Sequence, residues 1–290
     1  MPTRVPFLSA LAAALFAALI AAFFAGPVWA AEPIRFAVGP FQASPTDTRR
    51  AYEPFFKHLA EAAGRPYELT VTTDWAGIAT ALATGTVDVA WMGPWGYVLA
   101  HHAGGAEAIA TVKYQGKPTY HAVIIGRPDL TIANWPQDAK GLSISFADAG
   151  STSGWLIPTH DLMARGIDPK SFFRYREGAS HAANVTAVAT GQVDLATDFD
   201  RNLRAMMERG TISEGDVKVV WTSPPLPNDA LAVRTGLDPA LVTTLRAAAV
   251  AITEEQAATL MPKNYTGWVA SDHSGYASIE AAGKAVGRLK

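Results

Sequence analysis

Ala81-Leu82-Ala83-Thr84-Gly85-Thr86-Val87-Asp88-Val89-Ala90 returns 106 residues later as Ala187-Val188-Ala189-Thr190-Gly191-Gln192-Val193-Asp194-Leu195-Ala196, identical at seven of ten positions. Each copy reads as the last turn of a helix, a glycine where the chain must turn left-handed, and the entry into a strand. Met twice, this helix-to-strand passage points to two similarly built lobes. Two lobes imply a cleft between them.

Outward from the first copy, short apolar or β-branched runs alternate with helical periodicity, the pattern of a mostly parallel sheet covered by helices. Strands are expected at Ile34-Val38, Leu69-Thr73, Val87-Trp91, Ala106-Val112 and Tyr120-Ile125. Helices are expected at Asp47-Ala63, with Tyr52, Phe55, Phe56 and Leu59 on one face and Gly64 as the stop, at Trp75-Ala83, and at Pro94-His102 with proline in its first turn. The second half repeats the rhythm, and the fold class is α/β. Two breaks divide it: Gly126-Arg127-Pro128, and Ser223-Pro224-Pro225-Leu226-Pro227, where three prolines fix an extended crossing. The reading is an outer lobe of residues 31–126 plus 223–290, with a middle lobe of residues 127–222 inserted in it. Two crossings permit hinge closure on a ligand.

Composition narrows the function. The 290 residues are 49% hydrophobic and only 17% charged, with a formal net charge of -2, so no broad basic surface is available for nucleic acid. Absence of cysteine removes thiolate catalysis, thiolate metal sites and disulfides. Arg4, the uncharged apolar run Phe7-Phe24 and the small residues before Ala31 have the order of a secretory signal over residues 1–30, cleaved near Ala30. The product is expected to be exported.

The densest polar signal is Asp148-Ala149-Gly150-Ser151-Thr152-Ser153-Gly154-Trp155-Leu156, between a strand at Leu142-Phe146 and a helix running to Arg165. One hydroxyl would cap that helix. Three between glycines, at a positive helix end with free N–H groups, suit an oxyanion with several acceptor oxygens. A second helix start, Gly178-Ala179-Ser180-His181, adds a donor in the first turn of a helix reaching Thr190. Asp229 follows the proline crossing and reads by default as a turn residue.

Ser151 or Ser153, His181 and Asp229 fall in an order that resembles a hydrolase triad. However, Gly150 and Gly154 bracket Thr152, so no serine stands at the centre of a G-x-S-x-G elbow. His101-His102 has no metal-pair spacing, and neither a G-x-G-x-x-G loop nor a phosphate-loop lysine occurs. No cofactor is expected.

The leader, Ser-Thr-Ser-Gly-x-Leu-x-Pro at Ser151-Pro158, His181 with Asn184, Val193-Asp194-Leu195-Ala196-Thr197 and Ser223-Pro224 leading to Asp229 together resemble the periplasmic phosphonate-binding proteins of ABC importers, including phosphite and hypophosphite binders. The similarity extends through Tyr52-Glu53-Pro54-Phe55, Asp74-Trp75-Ala76-Gly77 and Val87-Asp88-Val89-Ala90-Trp91. The resemblance implies a type II binding-protein fold, an inner-membrane ABC permease as partner and no catalysis. It implies that Ser151, Thr152 and Ser153 hold a phosphorus oxyanion, that His181 donates, that Asp229 accepts a ligand proton, and that Tyr120 reaches in from the other lobe. Two departures bear on the ligand: Trp75 stands where aminoalkylphosphonate binders have tyrosine, and Arg201 where they have an acidic partner for the amine. Phosphite or a small phosphonate such as methylphosphonate is the expected ligand. The alternatives are a binder or sensor of another oxyanion, and an exported serine hydrolase using Ser151 or Ser153 with His181.

Overall fold

The computed structural model describes residues 32–42 and 44–290. The signal expected over residues 1–30 lies outside them. The chain begins with β1 (Ile34–Val38), α1 (Pro45–Ala62), β2 (Tyr67–Val71), α2 (Trp75–Ala83), β3 (Val89–Met92), α3 (Pro94–Gly104) and β4 (Glu107–Tyr114). β1 and β3 are buried almost throughout because helices cover both faces of their sheet. α1 starts two residues before the Asp47 expected from the pattern. Ser44 caps it by accepting the Asp47 N–H at 3.1 Å, and Pro45 supplies the first-turn φ. Its inward face carries Tyr52, Phe55, Phe56 and Leu59, as the periodicity requires.

The single strand expected over Tyr120-Ile125 is two, β5 (Thr119–Tyr120) and β6 (Ala122–Gly126). There follow β7 (Ser143–Ala147), a π-helical turn at Thr152–Leu156, α4 (Ile157–Ala164), α5 (Pro169–Phe172), β8 (Arg174–Ala179), α6 (His181–Ala189), β9 (Leu195–Phe199) and α7 (Asp200–Glu208). β10 (Lys218–Thr222), β11 (Leu226–Pro227), β12 (Ala230–Val233), α8 (Pro239–Val250), α9 (Glu254–Leu260), β13 (Tyr265–Ala270) and α10 (Ala277–Ala285) complete the chain.

The strands form a six-stranded sheet, β13-β4-β12-β3-β1-β2, and a five-stranded sheet, β10-β6-β9-β7-β8. Each has a parallel core, β2-β1-β3 in one and β8-β7-β9 in the other, flanked by antiparallel strands. One boundary moves. β6 pairs with β9 and β10, so the chain leaves the first sheet before Ala122 rather than after Gly126. Gly126-Arg127-Pro128 does end a strand, but periodicity tells where a strand stops and not which sheet it joins. The chain returns through the proline run, where β11 pairs antiparallel with β5, Leu226 opposite Tyr120.

The sequence repeat is a structural repeat. Gly85 and Gly191 have φ of +72° and +71°, a region that costs other residues steric strain. Asp88 Oδ2 accepts the Arg35 N–H of β1 at 2.9 Å, and Asp194 Oδ2 accepts the Ser143 N–H of β7 at 2.8 Å. The carbonyls match too: Asp88 O accepts from Arg234 N–H and Asp194 O from Arg127 N–H, both at 3.0 Å. In each lobe one aspartate therefore ties the start of its parallel neighbour to the end of its antiparallel neighbour.

Candidate functional site

The parallel strands of both sheets end at a common cleft, and the loop after β7 contributes most to it. Ser151 is in extended conformation and caps the π-helical turn, its Oγ accepting the Gly154 N–H at 3.1 Å. Ser151, Thr152 and Ser153 are buried. The flanking glycines are steric requirements: a Cβ on Gly150 would lie 2.5 Å from Ala76 N, and one on Gly154 2.3 Å from Ala147 Cβ. Gly150 thereby lets the backbone of one lobe touch the backbone of the other. Thr152 spans the same gap, its Oγ1 accepting the Trp95 N–H at 2.8 Å while Trp95 Nε1–H donates to Ala149 O at 3.2 Å. Capping leaves this run able to bind a ligand, since a hydroxyl that accepts from a backbone N–H still has a proton to give.

α6 opens at Ser180, whose side chain accepts the Ala183 N–H, and this sets His181 in the first turn. His181 Nε2 lies 2.9 Å from Ser151 Oγ, and Nδ1 lies 3.1 Å from Asp198 Oδ1 at the end of β9. The acidic partner of His181 is Asp198, not Asp229. Burial pushes the Asp198 carboxyl above the usual range, with His181 opposing. Ser151, His181 and Asp198 have the connectivity of a hydrolase triad, but the serine oxygen is engaged by the Gly154 N–H.

Asp229, expected to accept a ligand proton, has a protein partner as well. Its Oδ2 lies 3.4 Å from Arg201 Nη2 and 3.5 Å from Nη1, and both side chains are buried. Arg201 also donates to Asn228 Oδ1 at 2.5 Å and lies over the Tyr120 ring at 4.6 Å. Its Nε has no partner among the described residues. Burial opposes charge on the guanidinium, yet Tyr265, Asp229 and Tyr120 raise its pKa, so it stays a cation. The cleft therefore pairs a buried carboxyl group with an arginine, burial pushing the Asp229 carboxyl above the usual range and Arg201 opposing. Burial also keeps the Tyr120 hydroxyl protonated by raising its pKa well above the ordinary value.

All seven residues proposed from sequence line one cleft of about 260 Å³: Trp75 at the start of α2, Tyr120 and Asp229 at the crossings, and Ser151, Thr152, Ser153 and His181 on the second lobe. Phe41, Gly93, Phe199 and Arg201 complete it. Trp75 is held edge-on to Phe41, centroids 4.8 Å apart, so the first lobe offers rings where the second offers donors together with the Phe199 ring. Among the described residues no group of three or more histidine or acidic side chains is placed to hold a metal.

The family model for the phosphonate periplasmic substrate-binding protein of ABC transporters matches residues 36–276. The chain belongs to this family. A phosphonate-binding protein of this kind works in the periplasm as the substrate-capturing component of an ABC transporter. The phosphate-import protein PhnD of Mycolicibacterium smegmatis is 30% identical over 227 residues, 74% of this chain and 70% of the relative. The phosphonates-binding periplasmic protein of Escherichia coli is 31% identical over 190 residues, 64% of this chain and 56% of the relative. A binding-protein component of an ABC phosphonate transporter from Pseudomonas aeruginosa superposes with a TM-score of 0.78 at 27% identity, covering 87% of this chain and 85% of the other. A Prochlorococcus marinus protein solved with methylphosphonate shares the fold, with a TM-score of 0.77 at 17% identity over 88% of this chain and 98% of the other. No helix among the described residues of this phosphonate-binding protein is long and apolar enough to cross a membrane.

Sequence reasoning missed Phe41, Phe199 and Asp198 as site residues. Phe41 follows β1, and Asp198 and Phe199 end β9, the strand ends where open α/β sheets hold ligands. That rule, applied to every parallel strand, would have found them.

Proposed function

We propose that this protein, exported after cleavage near Ala30, captures phosphite or methylphosphonate between its lobes and delivers it to an inner-membrane permease. The observation that carries the reading is the Arg201–Asp229 pair at the end of the cleft. An aminoalkyl ligand needs an acidic partner for its ammonium group. Here a guanidinium, already charged, stands at that end, and the Asp229 carboxylate is balanced by it. A small anion meets no such conflict: Thr152, Ser153 and the first-turn N–H groups face its oxygens, with Tyr120 and Ser151, the latter oriented by His181, as further donors. The rings of Trp75, Phe41 and Phe199 face the P–H or P–CH3 group, where a fourth oxygen would find no donor.

Phosphate is the second reading. A 30% identical relative is named a phosphate-import protein, and Arg201 brings a cation that a fourth oxygen can use if the ligand turns it away from the rings. Calorimetric titration with phosphite, methylphosphonate, phosphate, sulfate and 2-aminoethylphosphonate separates these ligands. The proposal expects the first two to bind most tightly and the aminoalkyl compound least. Tightest binding of 2-aminoethylphosphonate would sink it, and turnover of a chromogenic ester lost in Ser151→Ala would favour the hydrolase instead.

A further inference from the structure

Ser151 has one hydroxyl proton and two acceptor positions, and its neighbours compete for them. The Gly154 N–H fills one acceptor position at 3.1 Å, while His181 Nε2 stands 2.9 Å away. If Nε2 is bare, Ser151 gives it the proton and turns a lone pair toward the cleft, where an oxyanion is repelled. If Nε2 carries a hydrogen, both acceptor positions are filled and the O–H has only the cleft left to point into. That arrangement requires the His181–Asp198 couple to hold two protons rather than one. They sit either on both ring nitrogens with Asp198 ionised, or on Asp198 and Nε2.

We propose that Asp198 is the positioning residue that retains this second proton, so that oxyanion capture is tied to protonation of the buried His181–Asp198 couple. The inference rests on the reading above that the cleft takes a phosphorus oxyanion. Asp198 is fully buried, which favours its neutral form. His181, the Phe199 backbone N–H and Asn202 oppose this by bonding its oxygens. Asn202 of α7 donates to both carboxylate oxygens, at 3.0 and 3.1 Å. The Phe199 ring stands edge-on to His181 at 4.7 Å, and the Arg201 guanidinium lies over that same ring at 5.3 Å. Asp200 is turned to the backbone N–H groups of His121 and Arg201. Asp194, at the other end of β9, is paired with Arg127 and Arg174. From the opposing lobe come Pro40, the rings of Trp75 and Phe41 and the amide of Gln42, none of them charged. No lysine or arginine bonds to Asp198 among the described residues.

The proton count has a direct readout. As pH rises and the couple loses its second proton, affinity falls, approaching tenfold per pH unit for a one-proton linkage. Phosphite dissociation constants measured by calorimetry from about pH 5 to 9 should show this decline. Asp198→Asn keeps a neutral donor to Nδ1 and forces the hydrogen onto Nε2, so it should flatten the profile, binding about threefold weaker than wild type at the acid end and more tightly at the alkaline end. Asp198→Ala, with neither charge nor donor, should bind about tenfold weaker throughout. Phosphite itself titrates, so the difference between wild type and Asp198→Asn isolates the protein's share. Parallel profiles for the two would overturn the relay while leaving the oxyanion reading intact. Wild type that binds no oxyanion at any pH would overturn both. Should Asp198→Asn not fold, the ring-nitrogen shifts of His181 in phosphite-saturated wild type decide: a hydrogen on Nε2 is expected, and a bare Nε2 contradicts the relay.

Discussion

At their strand starts the two lobes are alike, and at their strand ends they are not. Asp88 and Asp194 sit after matching left-handed glycines and make the same backbone bonds, each securing a parallel neighbour. At the other end, the first lobe gives Phe41 after β1 and Trp75 after β2, whereas the second gives Ser151, Thr152 and Ser153 after β7, His181 after β8 and Arg201 after β9. One frame carries an apolar wall and a donor wall. The division assigns stability to the repeated end and recognition to the divergent one, and it can be tested residue by residue.

The largest effect should come from the one residue that belongs to both lobes' accounts. Arg201→Ala leaves the buried Asp229 carboxylate without its partner, and a chemical-denaturation curve should show a loss of about 3–5 kcal/mol. A loss under about 1 kcal/mol would mean that Asp229 is already neutral in the unliganded protein.

On the donor wall, His181→Ala should weaken phosphite binding by about 1.5–3 kcal/mol in calorimetry, the range for a hydrogen bond to a charged group, because the Ser151 hydroxyl is no longer turned toward the oxyanion. Thr152→Ala should do the same and also lower the melting temperature, because the buried Trp95 N–H loses its acceptor. If His181→Ala mainly destabilised the unliganded fold, the division between frame and site would break at that residue.

The repeated end predicts a matched pair of smaller effects. Burial alone would raise the Asp88 carboxyl, but hydrogen bonds from Arg35 and Arg234 hold it at about 2, and Asp194 is lowered in the same sense by Ser143 and its arginines, against burial. Both depressed groups contribute stability above the unfolded carboxylate value of about 4, and this is lost as pH falls toward 2. Asp88→Asn and Asp194→Asn should each cost about 1–2 kcal/mol at neutral pH and little at the acid end, with ligand affinity unmoved. A large change in affinity from either would contradict the separation.

Smallest is the optical effect of closure. Trp75 and Trp95 stand at the contact between the lobes, so tryptophan emission should change on phosphite binding. Unchanged emission and unchanged small-angle scattering at saturation would show that the lobes do not move.

Most of the frame was legible because it depends on local pattern. The repeat, the amphipathic face of α1 and the strands at Ile34–Val38 and Ser143–Ala147 all follow from periodicity and turn residues. The sheet to which Ala122–Gly126 belongs was not legible, since partner choice between β4 and β9 is made by contacts distant in sequence. For the site, hydroxyls at a helix start and a first-turn histidine carry a local signature. The pairing of Asp229 with Arg201, and of His181 with Asp198, does not: each bond joins residues 28 and 17 apart respectively, and only the fold sets their distance.

The most direct test of the two-walled cleft is a crystal structure of the protein with phosphite. The phosphorus should lie between the lobes, its oxygens within hydrogen-bond reach of Thr152, Ser153 and the Ser151–His181 pair, with its P–H toward the rings of Trp75 and Phe41. An anion found instead in the neighbouring cavity of about 720 Å³, against Arg209 and Lys263 with the serines unliganded, would contradict the account.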